Sequence, residues 1–268
     1  MTKYPKKILV ISGSYPKTSN SQQGSFVKES VDTMKKLRRV KIYLSVSRSL
    51  PFNDVLVFIK YLRIIVKSLF ICIIHRPQFI IAHTVFPAGF LALMIAKLFN
   101  IKIVVFAHGG DIMGLSKTKA VLWEQNKMTL LWKIRYRSIQ LVLQKADGII
   151  YVSDYLFDTA KKYFKTEKNK SLVSPIGFNP NIFYQFKQFK EKKNIILYVG
   201  RIDEKKGIYK FFTILASISE YLKKNDFLTT IIGRVDDDDF YSTMNNYNEI
   251  LNIEYLGEKS RNELAVFF

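Results

Sequence analysis

Short unbroken apolar runs alternate with longer stretches of helical period from one end of the chain to the other. Residues 6–12, 40–46, 79–83, 101–107 and 146–153 carry such runs, the pattern of strands covered on both faces of a parallel sheet. The intervals predict helices. One begins near Gly24, one runs from Asn53 or Asp54 to about Ile74, and one is opened by Pro87 and ends near Asn100. Residues 117–145 read as one long helix or two, and Ser153 or Asp154 starts another that runs to about Phe164. An irregular stretch over 172–183 holds Pro175, Gly177 and Pro180, and the basic segment 185–193 reads as an exposed linker. The first domain is therefore placed at 1–183. Residues 184–268 repeat the pattern, with strands at 195–199, 228–233 and 253–256 and helices at 206–224, at about 239–248 and from near Ser260. This alternation is that of a parallel, doubly wound α/β fold.

Two helices carry a second pattern. Residues 56–74 are mostly apolar and nearly long enough to span a bilayer, but Lys60, Arg63 and Lys67 interrupt them at i, i+3 and i+7. These three cations lie within about 60° of one another on a helix of 3.6 residues per turn. An amphipathic helix follows, with apolar faces expected on the sheet and a cationic stripe either solvated or against anionic lipid. In 117–145, Trp123, Trp132 and Tyr136 are interleaved with Lys127, Lys133, Arg135 and Arg137, a mixture suited to a membrane headgroup layer or, for the tryptophans, to core packing.

Composition sharpens this picture. The 268 residues are 48% hydrophobic, ample for a buried core, and a single cysteine, Cys72, leaves no intrachain disulfide. No signal peptide is evident at the start, so a cytoplasmic location is expected. Residues 1–180 hold 29 Lys and Arg against 9 Asp and Glu, whereas residues 181–268 hold 13 of each. The whole net charge of +20 thus belongs to the first part, which is expected to face a polyanionic surface. No nucleic-acid-binding module is recognisable, so an anionic membrane leaflet, on the inner face of the cell membrane, is the expected partner.

The candidate chemistry gathers at strand ends. After strand 195–199, Gly200 breaks the run, and Arg201 and Lys206 flank the start of a periodic helix. A helix start offers unpaired N–H groups and partial positive charge, so two flanking cations make either a diphosphate site or ordinary solvated surface. Strand 101–107 delivers His108, Gly109, Gly110 and Asp111 to the carboxyl edge, where doubly wound sheets bind ligands. Two glycines there leave backbone N–H groups open to a ligand. His83 ends a strand on the same edge and reads as a loop or core histidine. Asp236, Asp237, Asp238 and Asp239 read as a solvated loop and helix cap, and no metal site is expected. The first turn, GSYPKT, is not a dinucleotide fingerprint.

Four stretches taken together, YPKTSNSQQGSFVKE, AHGGD, VSPIGFNPNIF and NIILYVGRIDEKKG, resemble glycosyltransferases of family 4, which retain anomeric configuration and use the GT-B fold. The resemblance implies two Rossmann-like domains enclosing a cleft, the first on the acceptor side and the second binding a nucleotide sugar. It matches Arg201 and Lys206 to the donor-diphosphate cations, His108 to the histidine facing the donor sugar, and Asp111 to the acid supporting that loop. Gly24 matches the glycine that lets the first loop approach a ligand, and Gly257, Glu258 and Lys259 fall where the nucleobase is held. Neither metal nor cofactor is implied, only the nucleotide-sugar donor. The implied acceptor is a glycan, expected to be lipid-linked and part of the cell envelope, at a membrane surface touched by Lys60, Arg63, Lys67, Lys127, Trp132, Lys133, Arg135 and Arg137.

The family's paired glutamates, separated by seven residues, would follow this segment and are not in the sequence, so the chain is expected to be a fragment with an incomplete second domain and little activity. Alternatives are a non-catalytic membrane- or partner-binding subunit and a sugar-nucleotide epimerase of the same fold.

Overall fold

The computed structural model describes residues 5–16, 24–37, 39–48, 54–114, 129–177, 180, 183 and 194–268. The chain divides into two compact units, Met1–Gly177 and Phe178–Phe268.

The first unit is a six-stranded parallel sheet of β1 (Lys6–Tyr15), β2 (Val40–Arg48), β3 (Phe79–His83), β4 (Lys102–Ala107), β5 (Gly148–Tyr151) and β6 (Ser171–Val173). Its strand order is β2-β1-β3-β4-β5-β6. The central strands are apolar because both faces are covered: Leu9, Val10, Ile11, Ile80, Ala82, Val105 and Ala107 are fully buried. The helices are α1 (Ser25–Lys35), α2 (Asp54–His75), α3 (Phe90–Phe99), the single turn α4 (Gly110–Met113), α5 (Leu130–Lys145) and α6 (Asp154–Phe164). The chain leaves β1 toward β2, then returns across the sheet toward β6. With right-handed crossovers this puts α1 on one face and α2, α3, α5 and α6 in a row on the other. The reversal lies between β1 and β3, so their carboxyl ends form the switch-point crevice.

The second unit is a three-stranded parallel sheet, β7 (Ile195–Val199), β8 (Leu228–Ile232) and β9 (Ile253–Tyr255), in that order. Around it pack α7 (Ile208–Ser217), α8 (Ser219–Lys224), α9 (Phe240–Asn248) and α10 (Arg261–Ala265). Its core is Ile202, Ile208, Phe212, Ile231 and Phe240.

Several elements differ from the sequence reading. Pro87 does not open α3: it sits in an irregular turn over Val85–Gly89, and the helix begins three residues later at Phe90. The stretch over 172–183 begins inside a strand, β6, because its backbone pairs with β5. The helix over 206–224 is two helices, since Ile218 leaves helical geometry (φ −120°, ψ 18°). The largest difference is α2, whose apolar residues were expected on the sheet. Ile64, Ser68, Ile71 and Cys72 do face the core, but Val55, Phe58, Leu62, Val66, Phe70 and Ile73 are exposed, Phe58 at 68% and Phe70 at 62%. Helical spacing joins these six into one outward stripe. Among the described residues no helix is long and apolar enough to cross a membrane.

Candidate functional site

The carboxyl edge of the first sheet brings two histidines together. His83, the last residue of β3, and His108, just after β4, approach with Nδ1 of His83 3.2 Å from Nε2 of His108. One nitrogen carries the hydrogen and the other accepts it, according to tautomer. The rings stack at 17°, between Phe106 beside His83 and Phe26 of α1, whose ring centroid is 4.3 Å from that of His108. Burial and the neighbouring His108 push the His83 imidazole down to about 3, and burial pushes His108 below its ordinary value against the opposing pull of Asp111. Both rings are therefore neutral at pH 7. Nε2 of His83 and Nδ1 of His108 are buried with no protein partner among the described residues.

Asp111 joins the two loops through hydrogen bonds. Its Oδ1 accepts the N–H groups of His108 (3.2 Å) and Gly109 (2.9 Å), and its Oδ2 accepts that of Val85 (2.6 Å). One buried carboxylate thereby ties the turn after β3 to the turn after β4. Around it, Gly109 adopts φ +120°, and neither Gly109 nor Gly110 has any atom within 4 Å of where a Cβ would stand. Gly24 is constrained differently. With φ +77° it lies so close to Ser14 and Tyr15 at the end of β1 that any side chain would collide with backbone.

Arg135 is a correction to the sequence reading, which set it on a membrane-facing surface. Its guanidinium stacks over Trp132 (4.7 Å) and Phe86 (5.8 Å), and Nη2 donates to the Gly110 carbonyl at 3.2 Å. The aromatic neighbours hold it inward, on the histidine loop. Trp132 is half-buried under it, while Lys133 and Arg137 remain exposed. Tyr136 donates its hydroxyl to the Tyr163 carbonyl at 2.6 Å and belongs to the packing of α5 on α6. Trp123 and Lys127 lie outside the described residues. On α2, Arg63 and Lys67 are exposed and Lys60 is half-buried.

In the second unit the carboxyl edge is lined by glycines and cations. Gly200 follows β7, Gly233 follows β8 and Gly257 lies beyond β9. A Cβ on Gly233 would overlap the Gly200 carbonyl oxygen, and the Gly233 N–H donates to the Gly257 carbonyl at 2.9 Å. Only glycine allows these loops to lie so close. Arg201 extends from this edge, more than half exposed, and pairs loosely with Asp203 (3.3 Å) and Asp236 (3.7 Å). Arg234 holds Asp236 through two bonds of 2.7 and 2.9 Å and keeps its carboxyl below the usual range. Asp236 is thus an ion-pair partner rather than the solvated loop acid expected of it. Lys206 ends a one-turn 3-10 segment whose start Asp203 caps, accepting the Lys206 N–H at 2.7 Å. Gly207 then stands at the cap of α7 without a side chain to offer it, which leaves the first N–H groups of that helix to solvent or ligand. Glu258 and Lys259 follow Gly257, just before the capping box of Ser260 and Glu263.

The sequence reading passed over Gly233, Arg234 and Phe26, and left His83 outside the site. The signal for the first two was present: both β7 and β8 end in Gly-Arg, at Gly200-Arg201 and Gly233-Arg234. Among the described residues no cluster of His, Cys, Asp and Glu is arranged to hold a metal.

Residues 8–181 match the family model for Glycosyltransferase Family 4, and residues 181–268 match that for Glycosyl transferases group 1. The chain belongs to glycosyltransferase family 4. Solved structures agree on the fold. Sucrose-phosphate synthase from Thermosynechococcus elongatus superimposes with a TM-score of 0.72 at 16% identity, over 98% of this chain and 73% of that one. WaaG, a glycosyltransferase involved in lipopolysaccharide biosynthesis, gives 0.59 at 14% identity, over 97% and 71%. A UDP-GlcNAc 2-epimerase from Neisseria meningitidis bound to UDP-GlcNAc gives 0.53 at 12%, over 97% and 75%. At these identities the structures speak for the GT-B fold alone, whereas the family models place the chain with the glycosyltransferases. No curated protein matches it in sequence.

Proposed function

We propose that this glycosyltransferase moves a hexose from a nucleotide sugar to a lipid-linked glycan acceptor, with retention and without a metal, at the cytoplasmic face of an anionic membrane. The observation that carries the reading is the uncapped start of α7 directly after Lys206, on the same carboxyl edge from which the exposed Arg201 extends. Departure of a nucleoside diphosphate develops negative charge, and fixed cations with open N–H groups stabilise it where it forms. The exposed pairs of Arg201 with Asp203 and Asp236 are each worth at most about 1 kcal/mol, so a diphosphate displaces them readily.

The histidine loop supplies the other half of the proposed chemistry. A neutral His108, fixed by Asp111 and His83, is suited to hydrogen-bond a sugar hydroxyl without adding charge that would oppose the leaving group. The acceptor proton passes to the departing phosphate, as the family's retaining course implies, so no base is required of the protein. Gly257, Glu258 and Lys259 are assigned to the nucleobase side and Gly24 to the approach of donor or acceptor.

Isothermal titration of the chain with UDP and with GDP tests the reading. Replacing Arg201 and Lys206 together by Ala is expected to weaken binding of the preferred nucleotide at least a hundredfold, two charge-assisted contacts of about 1.5 to 3 kcal/mol each. Equal affinity in wild type and double variant would sink the assignment.

A further inference from the structure

A groove of about 570 Å³ opens between the end of β2 and the outer side of α2, away from the histidine loop. Four cations line it, Arg48 from the strand and Lys60, Arg63 and Lys67 from the helix, and no acidic residue does. Among the described residues none of the four has an ion pair. Four like charges converging on one concavity repel, and Lys60 is held below its ordinary pKa by burial. An anion in the groove relieves both costs.

The rim identifies what the anion is attached to. Leu56 and Ile59 line the groove and are themselves exposed, and they continue into the apolar stripe of Phe58, Leu62, Val66 and Phe70. From Val55 to Ile73 that stripe runs about 27 Å along the helix. Its cationic border lies along one side, so a surface that covers the stripe also meets Arg63 and Lys67. A soluble phosphate uses the cations and leaves the stripe wet. A bilayer matches both, through headgroup phosphates beside an acyl region.

We propose that this groove binds the phosphate headgroup of an anionic lipid while α2 lies in the plane of the membrane, its apolar stripe immersed among the acyl chains. The inference deepens the membrane-facing part of the function proposed above and rests on it, but it does not depend on the donor site. A lipid-linked phosphate acceptor shares the same chemistry, so the groove places the phosphate end of such an acceptor on the unit that carries His108.

Co-sedimentation of the full chain with vesicles of phosphatidylcholine alone and with one third phosphatidic acid tests this. Three variants are compared with wild type: Arg48→Ala with Arg63→Ala in the groove, Lys102→Ala with Lys168→Ala as an equal charge loss at the opposite strand ends, and Phe58→Ser with Val66→Ser in the stripe. The expected results are selective binding to the acidic vesicles, a loss of about thirtyfold in the groove variant, a loss under threefold in the control, and loss in the stripe variant of the binding that survives 1 M salt. Equal losses in groove and control variants overturn the site in favour of diffuse charge. Displacement by millimolar inorganic phosphate, without any vesicle preference, overturns the lipid source. A dimer in sedimentation velocity that the stripe variant abolishes overturns the membrane in favour of a second copy. UDP titration of each variant separates the two readings, since vesicle binding without UDP binding defeats the donor assignment alone and the reverse defeats the groove alone.

Discussion

The Asp111 carboxylate reaches the Val85 N–H at 2.6 Å and so joins two loops that leave neighbouring strands. Its other oxygen holds the N–H groups of His108 and Gly109. Asp111→Asn replaces one acceptor by a donor facing an N–H. A loss of about 2 kcal/mol is expected, the worth of one charge-assisted hydrogen bond. Both tryptophans, Trp123 and Trp132, belong to the first unit, so urea unfolding followed by their fluorescence reads this unit alone. An unchanged midpoint would show that the carboxylate does not hold the loops.

The histidine pair makes the first unit sensitive to acid. His83 is depressed to about 3 in the folded chain, so below the usual histidine range the unfolded chain takes up a proton that the folded chain does not. Stability is therefore complete above about pH 6.5 and falls as pH drops from there toward 3, with a slope approaching about 1.4 kcal/mol per pH unit. His83→Gln should flatten the dependence measured by the same fluorescence. A slope unchanged in the variant would place the acid sensitivity elsewhere.

Two glycines should respond oppositely to one added methyl group. Gly233→Ala drives a Cβ into the Gly200 carbonyl at φ +156° and is expected to cost more than about 3 kcal/mol, seen as lost hydrogen-exchange protection across β7 and β8. Gly110→Ala meets nothing within 4 Å and should unfold like wild type. Matching protection in Gly233→Ala and wild type would contradict the close approach.

Asp236 pairs with Arg201, the residue proposed to hold the donor diphosphate. Asp236→Asn should tighten UDP or GDP binding by about twofold to fivefold, the weight of one exposed ion pair. Affinity left unchanged by this substitution would mean that Arg201 does not touch the diphosphate.

Much of the fold was legible because its strands are continuous apolar runs, largely buried in β3 and partly exposed in β7. The apolar runs gave β3 and β7 to the residue, and Ser153 announced α6 through its own cap, accepting the Leu156 N–H. The parts that escaped share a cause, which is that a side chain's type does not fix its neighbour. In α2 the cationic stripe has apolar residues on both sides of it, so periodicity could not say which of the two apolar sides meets the sheet, and only packing shows which is outward. Arg135 looked like a surface cation until Trp132 and Phe86 turned it inward. β6 is three residues long, too short for any alternation to register. His108, Gly109, Gly110 and Asp111 stood out as a cluster, but His83, 25 residues upstream, becomes their neighbour only because β3 pairs with β4.

The Gly200 and Gly233 loops carry a further consequence. They are stitched by Gly200 N–H to Ile232 carbonyl, Ile202 N–H to Arg234 carbonyl and Asp236 N–H to Ile202 carbonyl, at 3.0, 2.9 and 3.0 Å. Arg201 and Arg234 therefore ride on a single stiff ribbon. The backbone freedom that a loop ordinarily surrenders on meeting a ligand has already been given up during folding, so for the proposed diphosphate only the side-chain torsions of Arg201 would be left to settle.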